Sequence, residues 1–193
     1  MRRLPAIVLL TWLAGLLLPG LLQAGELAGV KVEDRITLDN GDSLQLNGMG
    51  LREKLWVDVY VGSLYLAKPA STEAGVLAQP GSLRIQMNFI YKEVSAEKMV
   101  ASWAEGFANN QSADKLASLQ QRIDAFNALF SDSARRGDIY TLDYLPGSGT
   151  VIEKNGERLG LIEGEDFRNA LIEIWLGNSP ADRDLKKGML GLE

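Results

Sequence analysis

Residues 47–68 decide the fold, and they read Asn-Gly-Met-Gly-Leu-Arg-Glu-Lys-Leu-Trp-Val-Asp-Val-Tyr-Val-Gly-Ser-Leu-Tyr-Leu-Ala-Lys. From Trp56 to Leu66 the run favours β-structure and has apolar side chains at both odd and even positions. This pattern is typical of a strand covered on both faces, in the middle of a sheet. A polar side chain there needs a hydrogen-bond partner or a ligand. Arg52, just before the run, and Tyr60 within it are therefore candidates for function.

Upstream of this stretch, the sequence predicts a hairpin. Val30–Leu38 alternates as one strand, residues 39–42 (Asp-Asn-Gly-Asp) form a turn, and Ser43–Leu46 returns as a second strand. Glycines at positions 48 and 50 indicate a β-bulge or a close backbone contact.

Downstream, strand and helix patterns follow one another. Ser95 is a typical N-cap residue, and Asn155-Gly156 is a strong hairpin signal. Gly177 is placed as the C′ glycine of a helix, with Pro180 just beyond it. The predicted strands are Leu83–Tyr91, Asp138–Leu145, Thr150–Glu153 and Arg158–Ile162. One predicted helix begins after Ser95 and ends at Asn109-Asn110. The others are Ala113–Phe130, a helix from Asp166 or Phe167 to Leu176, and Asp182–Met189. The order predicts an α+β fold, with a largely antiparallel sheet and a layer of helices on one face.

The N-terminus has the pattern of a secretory signal. Met1-Arg2-Arg3 is basic, Leu4–Leu22 is almost wholly apolar, and Ala24 precedes a suitable cleavage point. We predict a signal peptide at 1–24 and one domain at 25–193, with no stable membrane span after cleavage. An uncleaved anchor is the alternative, because the apolar stretch approaches the length that spans a bilayer.

Composition excludes several function classes. The chain has 193 residues, no cysteine and no histidine, so disulfides, Ser-His-Asp triads and histidine metal sites are ruled out. The net charge is −5 without a basic stripe, so nucleic acid is not an expected partner. No phosphate loop, dinucleotide fingerprint or metal-ligand spacing is present, so we expect no cofactor and no metal. Nothing in the sequence sets an oligomeric state.

Two segments near the central strand carry a family resemblance. Gly50-Leu51-Arg52-Glu53-Lys54, followed by Val59-Tyr60-Val61-Gly62-Ser63-Leu64-Tyr65-Leu66, resembles the signature of the chalcone isomerase-like superfamily. The likeness continues through Tyr91, Glu97 to Trp103 and Ala170 to Gly177. It implies the open-faced β-sandwich of that superfamily, which includes plant isomerases, non-catalytic fatty-acid-binding relatives and bacterial secreted members. With the signal sequence, it implies a periplasmic or secreted protein of the bacterial envelope.

The resemblance also assigns site residues. Arg52 matches the arginine of the true isomerases and Tyr91 their catalytic tyrosine, so these two are the catalytic candidates. Tyr60 stands at the position of a threonine, Lys98 at that of an asparagine, and Ile174 near that of the last hydroxyl. Loss of that polar network weakens the case for catalysis. Arginine followed by tyrosine on the long strand is the pair expected in the fatty-acid-binding branch, and the ligand-binding candidates are Arg52, Tyr60, Tyr91 and Lys98.

The chemistry of the pair supports a carboxylate ligand. An arginine shielded from water offers two charge-assisted hydrogen bonds, and a tyrosine hydroxyl adds a third. On one straight strand, Arg52 and Tyr60 would lie roughly 26 Å apart, at about 3.3 Å per residue. They share a ligand only if the chain reverses, as we predict, near Glu53-Lys54. The alternative is that Arg52 pairs with an acid such as Glu53 or Asp58 and that Tyr60 is a core residue.

Three functional hypotheses follow. The first is a non-enzymatic domain that binds a small amphipathic carboxylate, such as a fatty acid. The second is an isomerase or lyase acting on an enone, in which Arg52 stabilises an enolate or phenolate and Tyr91 orders water. The third is a structural or interaction module without a ligand, which a filled cleft and a protein salt bridge at Arg52 would favour.

Overall fold

The computed structural model describes residues 25–192, which form the predicted α+β fold. The strands are β1 (Gly25–Leu27), β2 (Val30–Val32), β3 (Arg35–Thr37), β4 (Ser43–Lys54), β5 (Val57–Leu66), β6 (Leu83–Phe89), β7 (Glu93–Val94), β8 (Ala134–Arg135), β9 (Ile139–Leu145), β10 (Gly149–Lys154) and β11 (Glu157–Ile162). The helices are α1 (Glu73–Leu77), α2 (Ala96–Asn110), α3 (Ala113–Ala128), α4 (Glu165–Leu176) and α5 (Arg183–Met189).

Seven strands form one antiparallel sheet in the order β11-β10-β9-β6-β5-β4-β3. Strand β5 lies in its interior between β4 and β6, and Val61 and Leu64, which point to opposite faces, are both fully buried. The position predicted from apolar residues at both parities is therefore confirmed.

The helices cover one face of this sheet. Leu64 of β5 and Ile85 of β6 belong to the same buried core as Phe107 of α2, Phe126 of α3 and Trp175 of α4. Aromatic rings run through this core in tilted and edge-on contacts, including Trp103 against Trp175 at 5.5 Å between ring centroids. The predicted helix layer is confirmed, and it forms the roof of the site described below.

Among residues 25–192, the start of the chain packs on the second face of the sheet only near β4 and β5, where Gly25 lies against Leu46 and Met49. Val30–Leu38 is not the single strand that its alternation predicts, because β2 pairs with β1 whereas β3 pairs with β4. The change of partner falls at Glu33-Asp34, where the buried Tyr65 hydroxyl donates a hydrogen bond to the Glu33 carbonyl at 2.9 Å. This side-chain bond satisfies a main-chain group that a continuous strand would have paired within the sheet.

Glycines 48 and 50 press β4 against α5. A Cβ on Gly48 would collide with the Gly188 carbonyl, and one on Gly50 would lie 2.7 Å from the Leu185 carbonyl. The register between β4 and β5 also shifts between Leu46 and Gly48. The predicted bulge and close contact both occur, and together they bring the N-terminal end of α5 close to the end of β4.

The turn between β4 and β5 is displaced from its predicted place. It consists of Leu55 and Trp56, both in the left-handed region with φ of 50° and 68°, so Trp56 belongs to the loop and Glu53-Lys54 to β4. Two-residue hairpin loops of this kind usually contain Asn-Gly or Asp-Gly. Polarity therefore pointed to the wrong dipeptide, because here the loop residues are apolar.

Helix ends test two further predictions. The Ser95 hydroxyl accepts from the Lys98 amide, which confirms its N-cap role. Gly177 follows α4 directly, but as its C-cap residue rather than the predicted C′ residue, in an extended conformation with φ of −70°. A Cβ at Gly177 would meet the Asn110 side chain and the Glu173 carbonyl, so close packing explains this glycine.

The predicted signal peptide, residues 1–24, lies outside the described residues. Within residues 25–192, no helix is both long enough and apolar enough to cross a bilayer.

Candidate functional site

A cavity of about 590 Å³ opens on the helix-covered face, where the β4–β5 hairpin leaves the sheet. Its walls come from β5 and β6, from α2 and from the segment that joins α4 to α5. Arg52, Tyr60, Tyr91 and Lys98, the four ligand-binding candidates from the sequence, all line it. The structure thus brings together residues that are up to 46 positions apart in the chain.

The hairpin sets Arg52 beside Tyr60. The two residues are direct cross-strand partners in the antiparallel register of β4 and β5. Directly opposed Cα atoms in such a ladder are about 5 Å apart, and their side chains point to the same face. The reversal that the shared site requires is therefore present, although it occurs two residues later than predicted.

Within the described part of the chain, protein groups hydrogen-bond only one nitrogen of the Arg52 guanidinium. Nη1 donates to the Glu53 main-chain carbonyl at 2.6 Å and lies 3.5 Å from Asp182 Oδ2. Arg52 therefore pairs with an acid, as its alternative interpretation proposed, but the acid is Asp182 and not Glu53 or Asp58. The two oxygens of Asp182 have different partners. Oδ1 caps α5 by accepting from the Asp184 and Leu185 amides. Oδ2, which faces Arg52, also accepts from the Glu53 amide at 3.2 Å.

The other edge of the guanidinium faces no protein acceptor. Among residues 25–192, Nε and Nη2 of Arg52 have no hydrogen-bond partner, although the side chain is only 18% exposed. Arg84 on β6 shows what this edge can do, because its Nε and Nη2 bind both oxygens of Asp143 at 2.6 and 2.5 Å. Arg52 lines the cavity and has the same two donors, Nε and Nη2, without a partner among residues 25–192.

Tyr60 supplies a neutral hydroxyl held in a fixed direction. The buried Trp175 indole donates its Nε1 hydrogen to the Tyr60 oxygen at 3.0 Å, so the hydroxyl's own proton has no acceptor among the described residues. Burial raises the pKa of Tyr60 to about 12, against the opposing effects of the Arg52 charge and the Trp175 hydrogen bond. At neutral pH the group is therefore a hydrogen-bond donor next to a cation.

Tyr91 and Lys98 stand nearer to solvent. Tyr91 follows β6, is 42% exposed, and is held through its amide by the Val59 carbonyl at 3.1 Å. Lys98 is exposed in the first turn of α2. These two residues therefore lie at the mouth, whereas Arg52 and Tyr60 lie deeper.

The remaining wall is mainly hydrocarbon and aromatic. Its apolar members include Val59, Phe89, Met99, Trp103, Ile174 and Pro180. Trp103 is also part of the aromatic core, and its Nε1 has no hydrogen-bond partner among the described residues. Polar residues also line other parts of the cavity, namely Glu93, Ser102, Glu105, Asn109 and Ser179. A cavity with mostly apolar walls and a cation beside a hydroxyl suits an amphipathic molecule.

Sequence reasoning missed the two residues that orient the pair. Trp175 contacts Tyr60 across 115 positions of sequence, and Asp182 contacts Arg52 across 130. Trp175 was predicted only as a core residue of an amphipathic helix. The one local signal for Asp182 was its place at the start of the predicted helix Asp182–Met189. The structure makes it the N-cap of α5, which explains the capping oxygen Oδ1 but not the contacts of Oδ2.

The chain belongs to the chalcone isomerase-like family, whose model matches residues 24–191. It is similar in structure to a fatty-acid binding protein from Arabidopsis thaliana, with a TM-score of 0.58, 16% sequence identity and coverage of 81% of this chain and 95% of that one. At this identity the likeness shows a common fold. No curated protein sequence matches the chain significantly.

Proposed function

We propose that this domain binds a long-chain fatty acid, or a similar amphipathic carboxylate, without chemical turnover. The observation that carries the proposal is the unpartnered Nε and Nη2 edge of Arg52, which lines an open, largely apolar cavity beside the Tyr60 hydroxyl. The carboxylate would accept two hydrogen bonds from Arg52 and one from Tyr60.

The charge balance at Arg52 favours an incoming anion. Asp182 lies 3.5 Å from Nη1 and already accepts three main-chain amides, so it neutralises the guanidinium only in part. A ligand carboxylate on the opposite edge would not displace it. Hydrogen bonds to charged groups contribute about 1.5–3 kcal/mol each, more than neutral ones.

The cavity's size and walls favour a hydrocarbon tail. Its volume of about 590 Å³ is within the range of roughly 300–1,000 Å³ that is usual for small-molecule sites. Each methylene that leaves water for such a wall contributes about 0.8 kcal/mol. Tyr91 and Lys98, at the mouth, would cover the entrance and add a positive charge near it.

Two alternatives have less support. Catalysis on an enone needs several positioned donors, and at the position of the isomerases' last hydroxyl this chain has the aliphatic Ile174 in the wall. We expect no turnover of chalcone above the spontaneous rate. A ligand-free module would show a protein salt bridge and a filled cleft at Arg52. The salt bridge to Asp182 is present, but the cleft is an open cavity.

We also propose that the protein acts in the bacterial envelope, either in the periplasm or after secretion. The support is the signal-type pattern at 1–24, together with the resemblance to a family that includes bacterial secreted members. Cell fractionation with N-terminal sequencing of the isolated protein tests this. Full-length protein in the cytoplasm would contradict it.

Titration with palmitate in a calorimeter, supported by native mass spectrometry of the freshly purified protein, tests the binding function. We expect one saturable site for palmitate and co-purified fatty acid in the mass spectrum. Absence of both would overturn the proposal.

A further inference from the structure

The tip of the β4–β5 hairpin exposes two large apolar side chains side by side. Leu55 is 83% exposed and Trp56 is 92% exposed. Trp103 and Trp175 are buried, so Trp56 is the one tryptophan among residues 25–192 that faces water. A folded domain gains nothing from exposing these two side chains.

The backbone at the tip does not favour them either. Leu55 and Trp56 have φ of 50° and 68°, and residues with a Cβ pay about 1–2 kcal/mol each in this region. The β10–β11 hairpin has the same two-residue loop with Asn155 and Gly156 at φ of 53° and 79°, the residue types that this conformation prefers. Folding therefore does not explain Leu-Trp at this tip.

The tip stands at the entrance of the cavity. Leu55 and Lys54 are among the residues that line it, next to the half-exposed Tyr91. A surface that received the tip would therefore face the entrance as well.

We propose that Leu55 and Trp56 insert into the interfacial layer of a lipid bilayer, so that the cavity opens toward the membrane. The idea that fatty acid enters or leaves by this route rests on the proposed function, whereas the membrane contact rests on the tip alone. Tryptophan suits the boundary between headgroups and hydrocarbon, because its ring is apolar and its indole N–H is polar.

A lipid surface fits the tip better than a protein partner does. Two side chains expose a few hundred Å² at most, whereas a specific protein interface needs about 800 Å² from each partner. The hairpin is also neutral within an acidic chain of net charge −5, because Arg52 and Lys54 balance Glu53 and Asp58. Binding should therefore depend on apolar insertion and change little with salt.

Vesicle flotation tests the proposal, with the purified protein in the form that its host produces and vesicles of equal parts phosphatidylethanolamine and phosphatidylglycerol. We expect Trp56→Gly to lower the vesicle-bound to free ratio about tenfold, because burial of an indole in the interface is lost. Leu192→Ser removes another exposed apolar side chain, 54% exposed, and should leave the ratio unchanged. Quenching of tryptophan emission by brominated lipid, measured as wild type minus Trp56→Gly, should show Trp56 in the acyl region.

Equal vesicle binding by wild type and Trp56→Gly, without Trp56-specific quenching, would overturn the membrane contact. A wild-type protein that binds no vesicles would do the same and would point to a protein partner for the tip. Palmitate titration without vesicles separates the two proposals. Saturable palmitate binding without vesicle association contradicts only this inference, and vesicle association without palmitate binding contradicts only the proposed function.

Discussion

The β4–β5 and β10–β11 hairpins have the same loop length and the same bulge position, but they differ in their side chains. In β4–β5 the register runs from Lys54 opposite Val57 through a bulge to Arg52 opposite Tyr60. In β10–β11 it runs from Lys154 opposite Glu157 through an equivalent bulge to Ile152 opposite Gly160. Both loops have two residues with positive φ.

The β10–β11 hairpin shows which residues stabilise this loop and bulge when they have no functional role. Ile152 is fully buried in the core, Gly160 lies against the Leu129 side chain, and Asn155 accepts from the Ile139 amide at 2.8 Å while it donates to Asp138 at 2.9 Å. At the equivalent positions of β4–β5, Arg52 replaces Ile152, Tyr60 replaces Gly160, and Leu55-Trp56 replaces Asn155-Gly156. Each of these replacements faces the cavity or water. The departures, Arg52, Tyr60, Leu55 and Trp56, therefore indicate function rather than folding.

We call β4–β5 the functional hairpin and β10–β11 the structural hairpin. The largest expected effect on stability comes from placing the Leu-Trp loop of the functional hairpin in the structural hairpin. In Asn155→Leu/Gly156→Trp, two bulky residues enter left-handed positions and the Asn155 hydrogen bonds are lost. We expect the free energy of unfolding to fall by about 3 kcal/mol, measured by urea denaturation. No loss of stability would show that these loops tolerate any residue and that Leu55-Trp56 carries no functional signal.

Removal of the Arg52 guanidinium from the functional hairpin should lower the affinity for the ligand without destabilising the fold. For Arg52→Ala we expect palmitate affinity to fall by about 2–3 kcal/mol, roughly a hundredfold, because charge-assisted hydrogen bonds are lost. The measurement is calorimetric titration. Arg158→Ala, at an exposed position on the other hairpin, is the matched control and should bind as wild type does.

Tyr60 should make the free energy of unfolding depend on pH above pH 10. Its pKa of about 12 exceeds the ordinary value of 10, so the folded state holds the phenol proton more tightly than the unfolded state. This stabilisation is complete below pH 10 and is lost as pH rises toward 12. We expect wild type to lose about 2 kcal/mol more than Tyr60→Phe over that range, by denaturation at each pH. Parallel curves for the two proteins would show that the phenol is not buried in solution.

The reverse exchange, in which the functional hairpin receives the Asn-Gly loop, should have the smallest effect on stability and should increase it. Leu55→Asn/Trp56→Gly relieves two unfavourable left-handed residues, and we expect the free energy of unfolding to rise by about 1–2 kcal/mol. Thermal denaturation of the double variant beside wild type measures this. A lower melting temperature would mean that Leu55 and Trp56 contribute to folding after all.

Local patterns predicted much of the fold. The strict alternation of Leu83–Phe89 and the Asn155-Gly156 turn both correspond to elements of the structure, because each depends on neighbouring residues. The Leu55-Trp56 turn could not be predicted this way, since its residue types oppose the conformation that they adopt. For the site, the sequence and the family resemblance pointed to Arg52 and Tyr60. The contact of Asp182 with Arg52 had no local signal, because it depends on the packing of α5 on β4.

The central claim is that Arg52 receives a carboxylate, and a change of ligand head group tests it most directly. Palmitate and palmityl alcohol have the same tail, so the ratio of their affinities reports the head alone. We predict that wild type prefers palmitate by about a hundredfold and that Arg52→Ala binds the two ligands almost equally, because the alcohol lacks the charge that the guanidinium stabilises. Equal binding of both ligands by wild type, or an unchanged preference in Arg52→Ala, would contradict the account.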